Sequence, residues 1–284
     1  MSSTSQGKVA FQGELGAYSQ AACAKLAPDL APQPCATFED VFALAQSGEA
    51  ACAVLPVENS LAGRVADVHH LLPDAGLAIT AEYFMPIRHQ LLAPRGSSLG
   101  TLKRVRSHPM ALGQCRLEMR RLGLQMVSAS DTAGAAREIA ELNDPTEGAL
   151  ASALAGQIYG LAVVKADIAD AAHNTTRFLR LEKSLASPDF MQPALTSIVF
   201  TVRNVPAALY KALGGLATNG VNILRIESHQ SHGFRVARFF VDIDGRPEAR
   251  NVALALDELR FFSSEFNILG VYPADPYRVG ELRG

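Results

Sequence analysis

The chain has no run of like charge and no long apolar stretch. Lys+Arg 26 stand against Asp+Glu 28, a formal net charge of -2. The basic stripe that a nucleic acid or an anionic membrane surface requires is therefore missing, and neither partner is expected. No apolar run approaches the roughly 20 residues that span a bilayer. The opening MSSTSQGK is polar and lacks the hydrophobic centre of a secretory signal, which reads as a short disordered leader. Cysteine is scarce: Cys23, Cys35, Cys52 and Cys115 form no CxxC pair and sit among Ala, Leu and Val, the pattern of buried, reduced thiols in a cytoplasmic protein. The seven histidines show no HExxH or paired ligand spacing, so no structural metal is expected. A GxGxxG dinucleotide loop is missing as well.

What is present is 284 residues at 48% hydrophobic, enough for two domains. From Lys8 to about Arg180, short apolar runs alternate with helical patterns, which predicts an α/β architecture with mostly parallel sheet. Strands are expected at VAFQG, ACAVLPV, two within GLAITAEYFMPIRHQLLAP, RVRSHP, LQMVSA, GALAS and LAVV. Helices are expected through SQAACAKLA, from TFEDVF to a stop at Gly48, in VADVHHLLPDAG, from Pro109 to Leu122, and from near Asp131. KSLASPDFMQP, with two prolines and no periodicity, reads as a linker. Beyond it TSIVFTV, a helix opened by Pro206 after a capping Asn204 and ended at Asn219-Gly220, VNILRIES, a polar turn at HQSHG, FRVARFFVDID, a helix near Pro247–Leu259 and FNILGVY spell βαββαβ, the ferredoxin-like order.

Four polar segments of the first domain fall where strands end and helices begin, the edge at which open α/β sheets bind ligands because free backbone N–H groups are presented there. GELGAYS, taken alone, is a strand-to-helix turn. In PVENSLAGRV a capped turn accounts for Ser60 and Gly63 but less well for Glu58 and Asn59. In SHPMALGQC, Ser107 and His108 precede a helix, and Gln114 within it faces either solvent or a site; spacing alone favours solvent. In NTTRF, Arg177 is a fixed charge able to hold a carboxylate in bidentate fashion, and Thr175 and Thr176 each bring a hydroxyl, although threonine suits a strand in any case. Together the four segments collect Arg, Asn, Gln, Ser and Thr without a nucleophile–base pair, a metal set or a nucleotide loop. That composition points to a small acidic molecule handled by hydrogen bonding.

VAFQGELGAYS, PVENSLAGRV, SHPMALGQC and NTTRF, in this order, resemble the prephenate dehydratase family, and TSIVFTVRNVPAALYKAL with GVNILRIES resembles its ACT regulatory domain. The resemblance runs from about Lys8 to Tyr272. It implies a catalytic domain over 8–183 with two lobes like those of type 2 periplasmic binding proteins, one from Lys8 to about Thr80 plus Asn174–Leu181, the other over most of Ala81–Val164. A linker over 184–193 and a ferredoxin-like ACT domain over 194–275 follow. The implied reaction converts prephenate to phenylpyruvate, water and carbon dioxide in phenylalanine biosynthesis, without a cofactor. Thr176 matches the catalytic threonine of the family's TRF motif, and Asn59, Ser107 and Gln114 match polar residues of its active site. Arg177 is assigned to the pyruvyl carboxylate, with Glu58, Ser60 and Thr175 as further substrate-binding candidates. The ACT domain implies a homodimer or homotetramer and feedback by L-phenylalanine through Ala207, Ala208, Leu209, Asn222, Glu227 and Ser228. The chain departs from the family pattern at Ala207, where many relatives carry Gly, at His229 and Gln230, where relatives carry Arg-Pro, and at Met110, where relatives often carry Gln. Arogenate dehydratase is the neighbouring enzymatic alternative; an amino-acid-sensing ACT protein without catalysis is the alternative of another class, disfavoured by the joint presence of Thr176, Arg177, Asn59 and Gln114.

Overall fold

The computed structural model describes residues 7–183, 192–203, 205–231 and 236–281. The leader at residues 1–6, most of the linker, the capping Asn204 and part of the HQSHG turn lie outside them. One compact unit takes the chain up to His70 and then Tyr83–Leu179; the other takes Leu71–Glu82 and the chain from Arg180 onward.

The elements of the first part run β1 (Lys8–Gln12), α1 (Tyr18–Leu26), β2 (Ala31–Cys35), α2 (Phe38–Ser47), β3 (Cys52–Asn59), β4 (Gly63–Arg64), α3 (Ala66–Leu71) and β5 (Ala78–Pro86). There follow β6 (Gln90–Ala93), β7 (Arg104–Ser107), α4 (Pro109–Gln114), α5 (Arg116–Arg121), β8 (Gln125–Ser128), α6 (Thr132–Leu142), β9 (Glu147–Ala151), α7 (Ala153–Tyr159), β10 (Ala162–Lys165) and β11 (Thr175–Glu182). Two sheets result, ordered β2-β1-β3-β11-β5 with β4 paired to β3, and β10-β6-β9-β7-β8. This is the two-lobed arrangement of the resemblance, with β11 returning to the first sheet. The crossover between lobes falls after Pro86 rather than at Thr80, because β5 is one continuous strand of the first sheet.

The sheets are mixed where mostly parallel ladders were expected. β1 pairs β2 and β3 in parallel, and β7 pairs β8 and β9 in parallel, but β6 runs antiparallel to both β9 and β10. β2 was not anticipated, since APQPC carries two prolines. It survives as an edge strand: Ala31 N–H donates to Gly7 O at 2.9 Å, and the alternation along the strand turns the N–H-less Pro32 and Pro34 away from β1. α2 begins and ends as its sequence signals require, on a reciprocal Thr37–Asp40 capping box and on Gly48 at φ 86°. The four cysteines are free and buried.

The second part follows the expected order: β12 (Ala194–Val202), α8 (Ala208–Thr218), β13 (Ile223–Ser231), β14 (Val236–Asp244), α9 (Arg250–Phe262), β15 (Ser263–Pro273) and a further α10 (Pro276–Glu281). Its sheet is antiparallel in the order β13-β14-β12-β15, with α8 and α9 closing one core over Ile198, Phe200, Ala212, Leu216, Val241 and Leu256. This is the ferredoxin-like βαββαβ unit. Leu71–Glu82 belongs to this unit for two physical reasons. A Cβ on Gly270 would lie 2.1 Å from the carbonyl oxygen of Ile79, so only glycine admits that approach. The carboxylate of Glu82 is also held by Arg278 at 2.7 and 3.0 Å. Among the described residues no helix is long and apolar enough to cross a membrane.

Candidate active site

In the first unit both lobes line one cavity of about 560 Å³, within the range of about 300–1,000 Å³ common to small-molecule sites. The first lobe contributes Gln12, Gly13, Tyr18 and Ser19, then Asn59, Arg64 and Asp67, and finally Thr176 and Phe178. The second lobe contributes His89, His108, Met110, Gln114 and the turn Ser130–Thr132.

The strand geometry explains which predicted residues reach it. Side chains alternate between the faces of a strand. Asn59 and Thr176 therefore share the cavity face, together with Asn174 and Phe178 on β11 and its approach. Glu58, Thr175 and Arg177 take the other face. Arg177 is 2% exposed, pairs with Glu58 at 3.3 Å and lies 5.9 Å from the centre of the Phe84 ring. The sequence assignment of Arg177 as a direct carboxylate anchor, with Glu58 beside it, is therefore corrected: the pair packs behind the site. Ser60 is used structurally, its hydroxyl donating to His173 O at 2.9 Å and accepting from Thr175 N–H at 3.0 Å, while Ser60 N–H donates to Thr175 O. Thr175 thereby has a reason in its backbone, which docks β11 onto the turn after β3. Ser107 is fully buried, and its hydroxyl donates to Leu150 O at 2.7 Å between strands; it does not line the cavity.

Gln114 faces the site, against the solvent reading that spacing alone favoured. The expected Pro109–Leu122 helix breaks at Cys115 (φ -117°), which ends α4 on Gln114. Asp170 holds the break: its N–H donates to Gln114 O at 2.8 Å and its carboxylate accepts from Leu117 and Glu118 N–H at 2.9 and 3.1 Å.

The polar side chains form one connected chain. Asn59 Nδ2 donates to Asn174 Oδ1 at 2.7 Å and to Thr176 Oγ1 at 2.9 Å, while its Oδ1 accepts from Leu61 and Ala62 N–H at 3.0 and 2.8 Å. Asn174 Nδ2 donates to Gln114 Oε1 at 2.9 Å, and His89 Nε2 lies 2.9 Å from the same oxygen. Tyr18 Oη is 2.9 Å from His89 Nδ1. Burial pushes the His89 imidazole below its ordinary pKa and the Tyr18 phenol above its own, so both are held neutral. The chemical consequence sits at Thr176. Its oxygen already accepts from Asn59, so its own O–H is left to donate toward the cavity.

GELGAYS is the strand-to-helix turn expected of it, between β1 and α1, and it also joins the lobes. Arg137 binds Glu14 at 2.6 and 3.0 Å and holds its carboxyl below the usual range, Tyr159 donates to Leu15 O at 2.8 Å, and Ser152 to Gly16 O at 2.6 Å. Gly16 (φ 91°) meets Ala155 so closely that a Cβ would fall 2.7 Å from its Cα. Sequence reasoning missed Tyr18, His89 and Asn174. The one signal for His89 was a lone polar ring beside the apolar run of β6.

The effector candidates divide by register. Thr201 and His229 both stand opposite Arg238, which sets Glu227 and Ser228 toward the end of the sheet from which the chain leads into Ala207, Ala208 and Leu209. Asn222 O accepts from Asp244 N–H, and Asp244 pairs with Leu195 at the opposite end, six residues or about 20 Å from Thr201 by strand rise and about 17 Å from Glu227.

A family model for prephenate dehydratase matches residues 9–185. The chain is 47% identical to a bifunctional N-acyl-homoserine lactone acylase/prephenate dehydratase of Komagataeibacter europaeus, over 95% of this chain and 97% of that one. It is 38% identical to arogenate dehydratase 2 of Petunia hybrida, over 94% of this chain and 72% of that one. The crystal structure of the Arthrobacter aurescens prephenate dehydratase in complex with L-Phe superposes with a TM-score of 0.86 at 31% identity, covering 94% and 90% of the two chains. With a family model matching over most of its length and relatives matching across nearly all of this chain, the chain belongs to the prephenate dehydratase family, lyases of prephenate-type substrates that here carry an ACT-like C-terminal domain.

Proposed function

We propose that the chain converts prephenate to phenylpyruvate, carbon dioxide and water. The observation that carries this reading is the donor left on Thr176 by its bond from Asn59. In the reaction the ring carboxylate leaves as CO2, its bonding pair moves through the diene, and the C–O bond to the ring hydroxyl breaks as the ring becomes aromatic. The departing oxygen carries hydroxide character and takes up a proton supplied by water. Thr176 is too weak an acid to be that proton's source, but a hydrogen bond aimed at the oxygen stabilises it as charge develops, an effect worth about 10²–10⁴-fold. Gln114 offers its amide to the substrate from the facing lobe. Arg64, the one lining residue with a permanent positive charge, takes over the pyruvyl carboxylate from Arg177. The ring carboxylate is best left without an intimate ion pair, which would stabilise the ground state and oppose its loss.

Regulation by phenylalanine through the ACT domain belongs to the same proposal. Since one chain separates Asn222 from Ala207 and Glu227, two ACT sheets paired about a two-fold axis are the arrangement that would bring such residues to one ligand. A cytoplasmic setting fits the four buried thiols. Arogenate is the second substrate reading, carried by the arogenate dehydratase of Petunia hybrida, and acyl-homoserine lactone hydrolysis a third, carried by the Komagataeibacter relative. Product formation from prephenate, arogenate and an N-acyl-homoserine lactone, each with and without phenylalanine, separates them. Thr176→Val should lower kcat on prephenate by about 10²-fold or more with a modest change in KM; near-normal turnover would sink the assignment.

A further inference from the structure

We infer that Tyr18 and His89 are positioning residues that decide which end of the Gln114 amide meets the substrate; the inference rests on the dehydratase reading of the same cavity. Gln114 Oε1 has two lone pairs, and both are engaged, one by Asn174 Nδ2 and one by His89 Nε2, each at 2.9 Å. The amide nitrogen has no partner among the described residues, and Gln114 lines the cavity. The substrate therefore meets a donor at this position, not an acceptor, as a molecule bearing two carboxylates and a keto group requires.

That polarity depends on where His89 carries its proton. A neutral imidazole has one N–H, and Gln114 Oε1 can be served only if it is on Nε2. His89 is 3% exposed and its burial favours the neutral ring, so the tautomer must be set by its other neighbour. Tyr18 supplies this: its hydroxyl lies 2.9 Å from Nδ1, its ring stands edge-on to the imidazole at 80°, and its phenol is kept protonated by burial. The one Tyr18 hydrogen faces two acceptors, His89 Nδ1 at 2.9 Å and Arg88 O at 3.0 Å, and Arg88 O is also served by Gln90 Nε2 at 3.1 Å. With Tyr18 donating to Nδ1, the imidazole N–H is held on Nε2. The opposite tautomer would set the Nε2 lone pair against the lone pairs of Oε1. At the other end of the chain the Asn59 amide is fixed by Leu61 and Ala62 N–H, and Asn59 then fixes Asn174. Gln114 is thus polarised from both sides, by backbone through the asparagines and by a phenol through the histidine. The backbone of His89 is tied in place by Ile168 N–H, which donates to His89 O at 2.9 Å.

The test compares two amides that imitate opposite nitrogens of the ring. In His89→Gln the terminal amide reaches the Nε2 position and can still donate to Gln114; in His89→Asn it stays near Nδ1 and cannot. With prephenate as substrate, His89→Asn should fall about 10-fold or more below His89→Gln in kcat/KM, and Tyr18→Phe should fall between the parent and His89→Asn. In a Gln114→Ala background the penalty of His89→Asn should shrink to less than about 2-fold, because the two residues act as one unit. Equal activities of the Asn and Gln variants, or a penalty that persists undiminished without Gln114, would overturn the inference while leaving the dehydratase reading intact. A parent chain that turns over neither prephenate nor arogenate overturns both. Thermal melts accompany each variant; if His89→Asn does not fold, Tyr18→Phe, which removes a single oxygen, carries the same comparison with and without Gln114.

Discussion

Ala207 holds a side chain where the backbone is left-handed, at φ 59°, immediately before α8. Its Cβ crowds the following carbonyl there, a cost of about 1–2 kcal/mol that glycine escapes. Glycine loses more chain entropy on folding, which offsets part of the relief. Ala207→Gly should therefore raise stability by about 1 kcal/mol net, read as a higher thermal midpoint; a lower midpoint would contradict the strain. The departure from Gly was visible in the sequence, but the sign of φ was not. Thr176 and Asn59 were legible as residue types with family matches. Their mutual bond was not, since 117 residues separate them along the chain.

At the scale of elements, period-two alternation was available from the sequence and should have separated Thr176 from Arg177. Neighbours on one strand cannot both face the same ligand. The consequence is testable at the short β4 hairpin. Arg64→Gln should raise KM for prephenate about 10–100-fold with little change in kcat, the loss of one charge-assisted bond. Arg177→Gln should instead lower the thermal midpoint, because it leaves Glu58 facing a neutral partner behind the sheet. Unchanged KM in the Arg64 variant would return the anchor to another residue. The break of the expected Pro109–Leu122 helix was not legible, because the residues that cause it are remote. Asp170 offers its N–H and carboxylate to groups that an unbroken helix would have satisfied internally.

At the scale of the whole molecule, the C-terminal helix α10 supplies the cation for two buried carboxylates. Arg278 is 7% exposed and meets Glu82 at 2.7 Å and Asp242 at 3.8 Å, while Asp242 also accepts from Ser197 Oγ. Removing only the guanidinium leaves buried negative charge uncompensated. Arg278→Met should destabilise the chain by about 3–5 kcal/mol in urea unfolding, and adding Glu82→Gln should recover part of that. A loss no larger than that of a surface ion pair, under about 1 kcal/mol, would show that the pair is solvated in solution.

The sequence by itself determined most of the elements, the ferredoxin-like order, the four polar segments at strand–helix junctions and the family to which they point, because these depend on local periodicity, capping and turn chemistry. Tertiary structure decided that Leu71–Glu82 joins the C-terminal unit, that Ser107 and Arg177 are turned into the fold, and that Tyr18, His89 and Asn174 join Asn59, Gln114 and Thr176 in one hydrogen-bonded chain. Hydrogen-bond polarity is a property of neighbours in space. Which hydroxyl is free to donate is known only once every adjacent donor and acceptor has its place.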